Sequence, residues 1–150
     1  MRWTHKAWPL GLILLGTGLG GCDGGGEGVV ENPTLVRDVE PLLRTSCGFG
    51  SGCHGTAQPA GLVQLTLGTG DAAALRTRLL GKSRREPSLA LVVPGEPSAS
   101  FLLHKVTGDF TGLPCGPDAC GERMPQRSTS LPPEQLELLE RWIQQGAVLE

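Results

Sequence analysis

Apolar residues recur at helical spacing in four stretches of this chain, each bounded by residues that start or stop helices. Leu35, Val36, Val39, Leu42 and Leu43 form the first. With Asp38 as cap and Pro41 in the first turn, their stripe predicts a helix over 38–46. A second helix is expected over 72–80, capped by Asp71 and closed by Gly81. Ser98 or Ser100 opens a third, which carries Phe101, Leu102, Leu103 and Val106 and stops at Gly108. The fourth follows Ser130 and Pro132-Pro133, sets Leu136, Leu139, Trp142 and Ile143 on one face, and ends at Gly146. Between these stretches Gly48, Gly50, Gly52 and Gly55 break regular structure, and 61–66 suits a short extended piece. The basic run from Lys82 to Arg85 reads as solvated surface, Val92-Val93-Pro94-Gly95 as a turn, and 109–129 as a long loop. With 23 glycines and 12 prolines in 150 residues, the fold class is mainly α with long connections, and extended sheet is disfavoured.

The first residues follow another pattern. Arg2, His5 and Lys6 precede an apolar run over 7–15 that ends in Gly16-Thr17-Gly18-Leu19-Gly20-Gly21 before Cys22. A basic head, a short apolar run and a small-residue exit describe a secretory signal. The run is too short to cross a bilayer core of about 30 Å as a mature helix. Leu19-Gly20-Gly21-Cys22 resembles the lipobox of bacterial lipoproteins, which implies cleavage before Cys22 and acylation of its thiol. Asp23-Gly24-Gly25-Gly26-Glu27-Gly28 has nothing to bury and suits a tether. The organisation expected is a signal peptide over 1–21, a lipidated glycine-rich linker over 22–33 and a folded domain over 34–150. Such a protein is anchored by lipid in the bacterial envelope, facing the periplasm or the cell surface.

Charge and composition then narrow the chemistry. The formal net charge is −2, and loss of Arg2 and Lys6 with the signal makes the mature chain more acidic still. No basic stripe with interleaved aromatics remains, so nucleic acid is not an expected partner. There is no nucleophile elbow, and Gly68-Thr69-Gly70 lacks the lysine of a phosphate-cradling loop. No catalytic constellation is read from these residues. The folded part holds only Phe49, Phe101, Phe110 and Trp142 as aromatics, a thin core of the kind that calls for a disulfide, a metal or a cofactor.

Cysteines offer all three. Cys47-Gly48-Phe49-Gly50-Ser51-Gly52-Cys53-His54-Gly55 reads as an attachment site for covalent haem c. Two cysteines add across the porphyrin vinyl groups and the histidine after the second coordinates the iron. Five residues separate the cysteines where two are usual, and three glycines among them let the loop bulge. Cys115 and Cys120 suit a local disulfide that shapes the loop before Met124, and an exported protein meets oxidising conditions. Two other arrangements remain open. Cys47, Cys53, Cys115 and Cys120 with His54 could bind zinc. Alternatively, Cys47 pairs with Cys53 and Cys115 with Cys120, leaving a haem-free, disulfide-stapled binding module.

The order of these features resembles that of cytochrome c-like domains of planctomycete and myxobacterial envelope proteins. The resemblance covers most of the mature chain. It is carried by Asp38-Val39-Glu40-Pro41-Leu42-Leu43, Cys53-His54-Gly55, Gly61-Leu62 with Leu65, and Val93-Pro94-Gly95-Glu96-Pro97 with Ser100 and Leu102. Arg123-Met124-Pro125 and Leu139-Glu140-Arg141-Trp142-Ile143-Gln144-Gln145-Gly146-Ala147 complete it. It implies a cytochrome c-like fold in which the N- and C-terminal helices pack together and haem lies between them. His54 is then the proximal ligand, Met124 the distal one, and electron exchange with a redox partner protein of the envelope the function. Met124 is also the only methionine besides the initiator, and it lies in a loop rather than on an apolar face. His104, at helical spacing from Phe101, is the rival distal ligand.

Overall fold

A computed structural model describes residues 28–49, 52–55, 67, 71–115, 119–126 and 128–150. The signal peptide, the lipidation site Cys22, most of the tether and the extended piece at 61–66 lie outside the described residues. Four α-helices are present among the described residues: α1 (Glu40–Cys47), α2 (Ala72–Leu79), α3 (Phe101–Thr107) and α4 (Pro133–Gln144). No strand longer than an isolated bridge is described, so the chain is mainly α.

The first helical segment begins earlier than the apolar spacing predicts. A wide turn at Leu35–Val39 precedes α1, and its cap is Thr34, not Asp38. Thr34 Oγ1 accepts the Arg37 N–H at 3.3 Å, while Asp38 Oδ2 accepts the Thr34 N–H at 2.7 Å. This reciprocal arrangement satisfies amide groups that a helix start would otherwise leave unpaired. Burial works to raise the Asp38 pKa, but hydrogen bonds from Arg37 and the Thr34 backbone, with the Arg37 charge, outweigh it and hold the carboxyl below its ordinary value. A depressed folded-state pKa contributes stability above the unfolded value that is lost as pH falls through the folded one. Asp38→Asn is therefore expected to flatten the acid limb of stability below about pH 4, read by thermal unfolding across pH, with little change at pH 7 beyond the weakened cap.

The remaining helices start and stop close to where the sequence indicates. Asp71 Oδ1 accepts the Ala74 N–H at 3.0 Å and caps α2. Ser100 precedes α3 without capping it. Its buried hydroxyl instead accepts the Val93 N–H at 2.9 Å and donates to Glu96 O at 2.9 Å, fixing the turn that leads into the helix. Pro133 opens α4 in the tolerated first turn.

One core joins the two ends of the described domain. Leu35, Val39 and Leu43 fall four residues apart and are fully buried, with Leu139, Trp142 and Ile143 of α4 in the same cluster. Leu35 N–H donates to Val148 O at 3.0 Å and Val36 N–H to Leu149 O at 3.1 Å, so the C-terminal tail lies along the first turn. Leu75 and Leu79 of α2 and Leu102 and Val106 of α3 close the cluster. Phe101, Phe110 and Cys120 form a second, smaller core, with Leu89, Leu91, Leu113 and Cys115 around it. No helix among the described residues is long and apolar enough to cross a membrane.

Candidate functional site

A cavity of about 870 Å³ opens between the two cores, within the range of roughly 300–1,000 Å³ usual for cofactor and ligand sites. Its first wall comes from the end of α1 and the segment after it. Cys47 is the last residue of α1, and the His54 N–H donates to Cys47 O at 3.0 Å, which brings the two residues together. Leu67 N–H in turn donates to His54 O at 2.7 Å. Cys47 and His54 therefore reach the same cavity although six positions separate them. Cys47 and Cys53 are two separate half-buried thiols. Burial, helped by the nearby Cys53, pushes the Cys47 pKa up to about 11. Burial thus favours the neutral thiol at Cys47.

The floor is apolar: Leu79, Leu91, Leu102, Val106, Phe101 and Phe110 all line the cavity. The two phenylalanine rings lie 6.5 Å apart and tilted by 43°. Lys105 crosses above them, its ammonium 5.2 Å from the Phe110 centroid and 6.0 Å from that of Phe101, inside cation–π range.

The loop of Cys115 and Cys120 makes the facing wall. These two cysteines are joined in a disulfide, and Cys120 is fully buried. The pairing removes two of the four thiols that the zinc arrangement required. Lys105 Nζ donates to Cys120 O at 3.1 Å and to Glu122 O, tying the loop to α3. The Met124 N–H donates to Lys105 O at 2.6 Å, and the half-buried Met124 lines the cavity. Burial first, and then the Arg85 charge, lower the Lys105 pKa; Glu122 works against them.

His104 takes no part in the cavity lining. Its Nδ1 faces Asp109 O at 2.7 Å and its Nε2 faces Ser98 O at 2.9 Å, so both ring nitrogens are directed at backbone carbonyls. His104 braces the two ends of α3. His104→Ala is expected to cost about 1–2 kcal/mol in urea unfolding, as for one or two lost hydrogen bonds.

The basic loop is exposed at Lys82, Arg84 and Arg85, as expected, and departs from that only at Ser83. Lys82 pairs with Ala90 in an antiparallel bridge, and Ser83 is buried, its Oγ accepting the Arg85 and Glu86 N–H groups at 3.1 and 3.3 Å. That tight turn brings Arg84 and Arg85 to the cavity, beside Lys105 and Arg123. Sequence spacing did not single out these four cations; the only signal was basic residues next to a buried-turn serine and to the Met124 segment. No protein-family model, curated protein or solved structure matches the chain.

Proposed function

We propose that the protein is a cytochrome c-like electron carrier of the bacterial envelope, holding covalent haem c in this cavity. One observation carries the reading: Cys47 and His54 on one wall and Met124 on the other line a single apolar cavity of about 870 Å³, although Met124 lies 70 positions beyond His54. Three of the four donors, Cys47, His54 and Met124, line the cavity, and Cys53, next to His54 in sequence, is not among the lining residues. Cys47 and Cys53 would anchor it as thioethers, His54 would be the proximal ligand and Met124 the distal one. When bound, haem supplies a one-electron iron couple.

The chain's own residues do the rest. Phe101, Phe110, Leu91 and Leu102 keep water from the cavity floor. The Cys115–Cys120 disulfide and the Lys105 bonds hold the Met124 segment in place. A thioether ligand favours the ferrous state and raises the potential relative to a second imidazole. The ring contacts of His104 favour Met124 as the distal ligand. His104→Ala is then expected to leave the absorption spectrum and potential unchanged despite its stability cost. Lipidation of Cys22, the anchor and a redox partner protein in the envelope belong to the same proposal.

Thiol counting tests the attachment. After full reduction and unfolding of the exported protein, alkylation is expected to label Cys115 and Cys120 only, because Cys47 and Cys53 are thioethers. Labelling of Cys47 and Cys53 as well would sink the reading and favour the haem-free module.

A further inference from the structure

The N-terminal tether meets the domain at a defined end. Gly28, Val29 and Val30 share a narrow groove with Gln135, Leu138 and Arg141 of α4, and Gln145 Nε2 donates to Glu31 O further along. The incoming chain therefore follows α4 from its first turns toward its last. Ser46 Oγ of α1 donates to Gln135 Oε1 at 3.4 Å, so Gly28 enters where α1 stops and α4 starts. Cys47 closes α1 there and the segment from Met124 leads toward α4, which puts the cavity at that end too.

The same end is apolar where it meets solvent. Phe49, two residues beyond α1, is 68% exposed and Val29 is 60% exposed, the two most exposed large hydrophobic side chains among the described residues. Neither lines the cavity. An aromatic ring in water is unfavourable, and contact with an apolar phase relieves it. Chain length decides which phase is in reach. Cys22 and Gly28 are six positions apart in the sequence, at most about 20 Å of extended chain. Helix α4, with 12 residues, is about 18 Å long. A bilayer holding an acyl group on Cys22 is therefore reached by the Phe49 end with the leash slack. The far end, with Val36 and Val148, reaches it only with the leash nearly taut.

We propose that this end of the domain docks on the bilayer that holds the Cys22 lipid, with Phe49 and Val29 as its apolar contacts. They enter the boundary between headgroups and acyl chains, where apolar side chains bury while the backbone beside them stays hydrated. A leash this short keeps the end near the surface at roughly millimolar effective concentration, so two side chains are enough to bias the orientation. Glu31, Glu134 and Glu137 are exposed around the contact, so it is apolar and not an attraction to anionic headgroups. The docking rests on acylation of Cys22 and not on haem.

The test uses the full exported chain in phosphatidylcholine vesicles that contain a phospholipid with a diazirine at the top of its acyl chain. After illumination, lipid adducts are mapped by mass spectrometry. Phe49 and the first turns of α4 are expected to carry at least about tenfold more adducts than Val36 and Val148, as for one end held at the surface. The ratio should hold from low to high salt, because screening acts on charges and not on apolar burial. Phe49→Asp, at an exposed position, is expected to lower the adducts in the first turns of α4 severalfold. Equal labelling of both ends in the unaltered chain, or none at Phe49, would leave Phe49 to a protein partner and overturn the docking without relying on any variant. Intact mass reads acylation separately. An acylated chain without the end preference overturns the docking alone, and a chain without the acyl group overturns anchor and docking together.

Discussion

Replacing Trp142 with alanine is expected to lower the unfolding free energy by about 3–5 kcal/mol, the range for deleting a large aromatic side chain from a packed core. Trp142 is fully buried where α4 meets Leu35, Val39 and Leu43, the cluster that joins both ends of the described domain. Its indole Nε1 also donates to Val148 O at 2.9 Å, and the Ala147 N–H returns to Trp142 O at 2.9 Å. The substitution thus opens a cavity and frees the C-terminal tail from the first turn. Small domains hold only about 5–15 kcal/mol in total, so the variant should lose a large share of its stability. Urea unfolding followed by far-ultraviolet circular dichroism is the readout, because the only tryptophan of the folded part has gone. Trp142→Phe, which keeps most of the volume and loses the Val148 hydrogen bond, is expected to cost about 1–2 kcal/mol. A loss under about 1 kcal/mol for the alanine variant would mean that α4 is not the centre of the core.

Met124→Ala is expected to have the largest functional effect. If Met124 sulfur ligates the iron, its loss removes the sulfur-to-iron absorption signature and leaves the haem attached through Cys47 and Cys53. The reduction potential should fall by on the order of 0.1 V, part of the roughly 0.8 V that axial ligands span. The Met124 backbone is held by Lys105 O and its neighbours by the disulfide loop, so the change should act at the ligand rather than through unfolding. A sulfur signature that survives in Met124→Ala would overturn the assignment. His104→Ala is the control, since that side chain is bound to Ser98 O and Asp109 O outside the cavity.

Local signals made much of the fold legible. Asp71 before an alanine run, Gly108 after Val106, and Pro132-Pro133 ahead of Leu136, Leu139, Trp142 and Ile143 carry their structure within a few residues of sequence. The Cys115–Cys120 link was equally readable, because a short spacing needs little chain closure. The start of the first segment was not. Asp38 looks like a cap, yet Thr34 takes that position because the Asp38 carboxylate turns back to the Thr34 N–H. Arg84 and Arg85 are exposed as expected, but the burial of Ser83 beside them and the close approach of Arg85 to Gly121 depend on contacts that no local spacing shows. For the candidate site, Cys47, His54 and Met124 were named from motif and loop, whereas the cationic wall emerged only once the chain was folded.

The central claim is that the cavity holds a covalently attached haem, and the most direct measurement is the intact mass and the reduced absorption spectrum of the full chain exported together with haem-attachment machinery. The account predicts a mass increased by one haem and a reduced haem c spectrum, both surviving denaturation. A colourless protein at the mass of the unmodified polypeptide, with Cys47 and Cys53 open to alkylation, would contradict it.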